Sequence, residues 1–398
     1  MQTSLPVEFL KTTEGQHADE ILRKCVHCGL CNATCPTYQL TGNELDSPRG
    51  RIYLIKNHFE KTGNNGTVLK HLDRCLTCLS CETTCPSGVK FGDLLDIGRK
   101  HIGKSIDRSV TSRIKRFLIA WIFSKPARSD LFFALARFVK PALPVKLVKK
   151  VPPLIRATET KVVIQGARKM LTIQGCVQSS TAPQINAAAI EVLGWSRIQL
   201  EESNSDCCGA LAFHLTDIKK AEKTIRDNID DWYEKLKSGH EYLVITSTGC
   251  SSFIKQYGNV MQADPDYVKR AAFIASRCRD LSEIGPELRI KLANRNCAVA
   301  FHSPCSLQHG QKILGAVEAR LLEAGYELVP TKNQHLCCGS AGSYSLLEKD
   351  LATQLLQNKI TCLEQAQPDV IATANIGCLM HLQSGTDIPV KHWIELLV

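Results

Sequence analysis

Four cysteines fall within eleven residues in "KCVHCGLCNATCP", residues 24–36, and the arrangement returns in "CLTCLSCETTCP", residues 75–86. Each run has the form C-x2-C-x2-C-x3-C-P, the spacing that supplies thiolates to [4Fe–4S] clusters. Three cysteines at intervals of three residues wrap a tight loop around a cube and reach three of its irons. The fourth, turned away by Pro36 or Pro86, reaches toward the other cube. With two runs the exchange is reciprocal. Cys25, Cys28 and Cys31 are expected to hold one cluster with the distant Cys85, and Cys75, Cys78 and Cys81 the second with Cys35. Structural zinc is the competing use of C-x2-C pairs, but it takes four ligands and more typically draws them from two separated pairs. Two identical four-cysteine runs, each closed by proline, fit it poorly.

The remaining chemistry is bounded by composition. The chain has 398 residues, room for two or three domains with their own cores, and 19 cysteines. Its first twenty residues lack the basic and apolar regions of a secretory signal, so the thiols read as metal-bound or redox-active in a reduced, cytoplasmic compartment rather than as disulfides. No stretch approaches the roughly twenty apolar residues that cross a bilayer. The net charge is +10, with a basic excess between Lys100 and Arg156. Asp46 or Ser47 is placed to cap a helix running into "IYLIKNHF", with Arg49 and Arg51 near a cluster or a partner. His27 reads as a loop residue hydrogen-bonded near the first cluster.

From about residue 157 an internal repeat appears. Cys176, Cys207-Cys208-Gly209 and Gly249-Cys250 recur as Cys305, Cys337-Cys338-Gly339 and Gly377-Cys378, at offsets of 129, 130 and 128 residues. Strand-like segments such as "KMLTIQG", "RIQLE" and "EYLVITS" precede the cysteines of the first copy, and "CAVAFH", "YELVP" and "DVIATAN" those of the second. Helical stretches lie between them, which implies parallel βαβ units. Parallel sheets place ligand sites at the C-terminal ends of their strands. Cys176, Cys207, Cys208 and Cys250 are therefore expected to converge, and likewise Cys305, Cys337, Cys338 and Cys378. Each set is a candidate for a further iron–sulfur cluster or a redox site. Cys278, Cys297 and Cys362 do not repeat and read as buried structural thiols.

The expected fold class is α+β: a largely helical two-cluster domain over residues 15–105, a basic and apolar helical connector over 106–156, and α/β half-domains over 157–285 and 286–398. The connector reads as two helices broken at Lys125-Pro126 and Lys140-Pro141. With aromatics such as Trp121, Phe132 and Phe133, it suits packing on a partner better than lying on a membrane surface.

The paired ferredoxin-type runs, followed by two Cys-Cys-Gly repeats, resemble the iron–sulfur subunits that carry tandem cysteine-rich domains. Such chains serve heterodisulfide reductases, anaerobic glycerol-3-phosphate dehydrogenase and lactate-utilisation systems. The segments "CPTYQLTGNELDSPRGRIYLIK", "HLDRCLTC", "CETTCPSGV", "HLCCGSAGSY" and "TANIGC" narrow the resemblance to the family of iron–sulfur subunits of bacterial glycolate oxidase, over essentially the whole chain. The resemblance implies two flavoprotein-type partner subunits with FAD on one of them, oxidation of glycolate to glyoxylate there, and exit of electrons through this chain to an acceptor such as quinone. It also implies a place in the cytoplasm or at the cytoplasmic face of the inner membrane, with no nucleic acid among the partners. The sequence departs from the heterodisulfide-type pattern in one respect. Those repeats end in a C-x-x-C pair, whereas here the ends are Ser247-Thr248-Gly249-Cys250 and Asn375-Ile376-Gly377-Cys378, leaving four cysteines per copy rather than five.

Two functions of different classes follow. One is an electron-transfer subunit of a flavin-dependent 2-hydroxyacid dehydrogenase, for glycolate or for lactate or glycerol-3-phosphate in the related systems; the absence of a G-x-G-x-x-G fingerprint agrees with flavin residing on a partner. The other is an autonomous heterodisulfide or thiol–disulfide reductase with the Cys-Cys-Gly repeats as its active site. The missing fifth cysteines count against it.

Overall fold

The computed structural model describes residues 1–62, 65–106, 108–142, 148, 151–155, 164–292 and 297–398. The boundary expected between residues 156 and 157 lies outside the described residues. The chain packs into two units: residues 1–115 with 335–359, and residues 116–334 with 360–398.

The first unit is helical. The helix Thr13–Lys24 starts at Thr12, whose side chain accepts from the Gly15 amide, and ends at Cys25, so the first cysteine run leaves directly from a helix terminus. The helix Pro48–Phe59 follows the first run, and Phe91–Ser105 follows the second. Leu22, Ile55, Leu72, Leu94, Leu95 and Ile102 are fully buried among these helices and form one core. Proline at the first position of Pro48–Phe59 makes Ser47 its cap: the Ser47 side chain accepts from the Gly50 amide at 2.9 Å. Asp46 does not cap this helix. It turns inward and is fully buried.

The second unit carries the repeat. Among the described residues, eight strands form two four-stranded parallel sheets of the same order, β2-β1-β3-β4 and β6-β5-β7-β8. The strands are β1 (Arg168–Thr172), β2 (Ile198–Glu202), β3 (His240–Ile245), β4 (Cys278–Asp280), β5 (Ala298–His302), β6 (Glu327–Leu328), β7 (Val370–Thr373) and β8 (Val390–His392). This bears out the α+β class and the repeat. β4 and β8 escape the sequence reading because each has only three residues, with Arg or Lys at its centre. Both end in the same device, a capping box: Asp280 with Glu283, and His392 with Glu395.

Burial increases along β1, β3 and β7 toward their C-terminal ends. The loops that carry Cys176, Cys250 and Cys378 thus leave from buried strand ends. Equivalent loops of the two halves also meet. The Ser247 hydroxyl and Gly249 amide both donate to Asn375 Oδ1, at 2.8 and 3.1 Å, and Thr248 bonds Ser306 at 2.7 Å. Ser247 and Asn375 occupy the same place in the two copies, so the halves join at matching strand ends.

The connector forms the helices Val110–Phe123 and Pro126–Phe138, with the expected break at Lys125-Pro126. Phe133 is buried, whereas Phe117, Leu131, Leu135 and Phe138 are exposed, Phe138 at 84 %. Among the described residues no helix is long and apolar enough to cross a membrane.

Candidate metal centres

The two cysteine runs share one backbone path. His27 and Gly29 in the first, and Thr77 and Leu79 in the second, all have positive φ, between 53° and 81°. A left-handed residue before and after the second cysteine winds the loop so that successive thiols face inward. At Gly29 a Cβ would lie 2.9 Å from Arg49 Nη1, so a side chain there would displace the Arg49 guanidinium as well as strain the backbone.

The loops enclose two cavities. Cys25, Cys28, Cys31 and Cys85 line one of about 430 Å³, counting space open to solvent, together with His27 and Arg49. Cys35, Cys75, Cys78 and Cys81 line a second of about 320 Å³, together with Arg51. Cys81 borders both. Burial raises the Cys25 thiol and pushes Cys31 up to about 11, with neighbouring thiols adding to the rise in Cys31. Cys81 is also raised, first by burial and then by Cys78, Cys75 and Cys35. Clustered buried thiols stay protonated on their own and ionise when a cation binds among them. At least four cysteine sulfurs border each cavity, a donor set that fits an iron–sulfur cluster, and the buried His27 Nε2 beside the first cavity has no hydrogen-bond partner among the described residues. His27 instead contributes its carbonyl, which accepts from Arg49 Nη1 at 3.3 Å.

The two cavities differ in their charged neighbours. Beside the first, Arg49 pairs with Glu44 at 2.7 Å, and both are partly exposed. Beside the second, Arg51 is 1 % exposed. Its Nε donates to the His71 carbonyl at 2.8 Å, Nη2 to Thr37 Oγ1 at 3.1 Å and Nη1 to Cys35 Sγ at 3.9 Å. The buried Asp46 carboxylate lies 3.6 Å from Arg51, 2.7 Å from His71 Nδ1 and 3.0 Å from Arg74 Nη1. With Pro48 at the helix start and Ser47 as its cap, Asp46 is released from capping and takes these partners instead.

In the first repeat half, strand-end convergence is observed. Cys176 follows β1, Cys207 and Cys208 follow β2, and Cys250 lies in the helix Thr248–Ile254 after β3. The thiols interact in two pairs, Cys176 with Cys207 and Cys208 with Cys250. Interaction with Cys176 draws the Cys207 thiol below its ordinary range, and the Gly209 amide adds to this from 3.4 Å. Cys176 and Cys208 are raised by those same thiol contacts and by burial. Gly209, at φ 85°, is what lets that amide turn back onto the sulfur. Asn228 donates to the Cys207 carbonyl at 2.9 Å, and Tyr257 to that of Cys208 at 2.7 Å. Sequence reading missed both of these supports, since neither belongs to the cysteine pattern.

The second set divides between the units. Cys305 opens the turn after β5, and Cys378 lies in the helix Ile376–Gln383 after β7, where Asn375 Nδ2 donates to its sulfur at 3.5 Å. Cys337 and Cys338 belong to the segment 335–359, which packs with the helical unit. There the Gly339 amide lies 3.4 Å from Cys337 Sγ, as Gly209 does from Cys207. Tyr344, buried on the same segment, lies within electrostatic reach of Cys75, Arg51 and Cys337. Of the non-repeating thiols, Cys278 is fully buried as expected, whereas Cys297 and Cys362 are only half-buried.

Comparison with known proteins agrees with this organisation. Residues 21–89 match the 4Fe-4S dicluster domain, and residues 170–255 and 299–383 each match the cysteine-rich domain. The chain is 43 % identical to the glycolate oxidase iron-sulfur subunit of Escherichia coli (strain K12), over 100 % of this chain and 98 % of that one. It is 26 % identical to the probable glycolate oxidase iron-sulfur subunit of Bacillus subtilis (strain 168), covering 92 % and 89 % of the two chains. A lactate utilization protein A from Anoxybacillus flavithermus is 29 % identical over 48 % of this chain and 82 % of its own length. A hypothetical protein from Helicobacter pylori shares the fold with a TM-score of 0.58 at 9 % identity, covering 98 % of this chain and 74 % of that one.

Proposed function

Because the chain belongs to the family of glycolate oxidase iron–sulfur subunits, and is thus an iron–sulfur electron-transfer subunit of an oxidase or dehydrogenase, we propose that it is the exit wire of a flavin-dependent glycolate dehydrogenase. Glycolate loses two electrons and two protons to become glyoxylate, and FAD on a partner flavoprotein accepts the pair. The clusters supply one-electron transfer when bound. Cys25, Cys28, Cys31 and Cys85 hold the first [4Fe–4S] cluster, and Cys35, Cys75, Cys78 and Cys81 the second. The observation that carries this reading is the pair of cysteine-lined cavities, one bordered by Cys25, Cys28, Cys31 and Cys85 and the other by Cys35, Cys75 and Cys78, with Cys81 bordering both.

The four thiols of the first repeat half are the place for a further iron–sulfur centre. The exposed apolar face of Pro126–Phe138, flanked by Lys125 and Arg128 and carrying Asp130 as its single acid, suits docking on the two flavoprotein-type subunits. Quinone, at the cytoplasmic face of the inner membrane, is the acceptor this role calls for.

The test is glycolate-dependent dye reduction. The isolated chain is expected to be inactive, whereas the chain added to its flavoprotein partners is active and variants lacking Cys28 or Cys78 are not. Turnover by the chain alone, without flavin, would overturn the proposal.

A further inference from the structure

We propose that Arg51 is a positioning residue that holds the reduction potential of the second cluster up. The inference rests on the cluster assignment above, and its geometry is independent of it. Arg51 lines the second cavity, is 1 % exposed and sends one guanidinium nitrogen toward the Cys35 sulfur.

Its fixed orientation follows from its partners. Three separate guanidinium nitrogens are engaged, by the His71 carbonyl, Thr37 Oγ1 and Cys35 Sγ. Thr37 is itself held, because its hydroxyl donates to the Asp46 carbonyl at 2.8 Å. The planar fork therefore cannot swing out to water, and a lysine in its place reaches only part of this set.

The charge balance gives the sign. Within the Asp46 cluster two guanidinium groups, Arg51 and Arg74, stand against the single carboxylate, so that cluster carries one positive charge in excess, and Arg51 is its member that lines the cavity. Reduction adds one electron to the cluster and no atom, and the added negative charge is attracted to that excess. Arg51 is shielded from solvent, so salt and water screen the attraction little. A cation and an N–H donor near ligand sulfur both favour the reduced cluster. Arg49, beside the first cavity, is matched by Glu44 and partly exposed, so it exerts much less of this effect.

The experiment is an EPR-monitored redox titration of the anaerobically purified full chain, reduced with dithionite. The signal lost in Cys35→Ser marks the second cluster. Arg51→Gln is expected to shift that signal to lower potential and leave the first cluster in place, with Arg51→Lys shifting it less. Asp46→Asn removes the opposing charge and is expected to shift the same signal upward. A disturbance of packing alone has no reason to move the potential in opposite directions in the two variants. Both clusters loaded at unchanged potentials in Arg51→Gln would overturn the inference, as would a downward shift in Asp46→Asn. Should Arg51→Gln fail to load the second cluster, the direction of the Asp46→Asn shift decides. A wild-type chain without [4Fe–4S] signals would instead defeat the cluster assignment itself.

Discussion

The helical unit and the first repeat half gather cysteines in opposite ways. In the runs Cys25–Cys35 and Cys75–Cys85 the spacing of the residues is itself the geometry, since left-handed residues at matching positions wind each loop inward. In the repeat half the cysteines stand up to 74 positions apart, from Cys176 to Cys250, and come together because β1, β2 and β3 lie parallel in one sheet. A site of the first kind depends on local turns and on one exchanged cysteine. A site of the second kind depends on an intact sheet and its core. Damage to one is therefore expected to spare the other.

The largest effect is expected from Cys35→Ser. Cys35 stands on the first run but lines the cavity of the second. Losing it should abolish or severely deplete the second cluster while the first remains. Iron content and EPR on the same sample check this, and loss of the first cluster with retention of the second would end the exchanged arrangement.

Next comes Trp232→Ala. Trp232 is fully buried in the first half, lies parallel to Tyr257 with ring centroids 6.2 Å apart, and donates to Ser203 at 3.2 Å. Truncating a buried tryptophan costs about 3–5 kcal/mol. Tyr257 in turn holds the Cys208 carbonyl, so the first-half thiols should become reactive toward alkylating reagents under native conditions. The absorbance of the N-terminal clusters should persist. If it falls in parallel, the two kinds of site are not independent.

The joint between the two halves gives a smaller, pH-dependent effect. His392 is fully buried, and desolvation pushes its pKa down to about 4 from 6.5. Its Nε2 lies 2.9 Å from the Thr246 carbonyl, and its Nδ1 accepts from the Ile394 amide, which makes Nε2 the protonated nitrogen of a neutral ring. The folded state binds this proton more weakly than the unfolded chain. The contribution is therefore fully present above about pH 6.5 and is lost as pH falls toward 4. It amounts to about 3 kcal/mol at most. Denaturation of the wild type and of His392→Gln across that range should show a shallower decline in the variant.

What the sequence disclosed follows the same division. The eight N-terminal cysteines were legible because a local motif needs no knowledge of the fold. The α/β halves were legible because the copies repeat strand, cysteine and glycine together. Asp46 was misread as a cap candidate, since only tertiary packing brings His71 and Arg74 to it. β4 and β8 are defined by their neighbours rather than by apolar runs of their own. The placement of Cys337 and Cys338 with the helical unit has no local signal, because it arises from packing of the whole segment 335–359.

The smallest effect expected separates the two cysteine runs from each other. Gly29 and Leu79 occupy the same left-handed position, at φ 81° and 60°. Left-handed backbone costs a residue with a Cβ about 1–2 kcal/mol. Gly29→Ala should incur that cost and also press on Arg49, whose Nη1 would lie 2.9 Å from the new Cβ. Leu79→Gly removes the same kind of strain from the second run but also removes a half-buried side chain. Its stability should stay within about 1 kcal/mol of the wild type. Thermal loss of cluster absorbance measures both. The expected order is earlier bleaching of the first cluster in Gly29→Ala and little change in Leu79→Gly. The reverse order would mean that the shared winding does not limit how tightly either loop holds its cube.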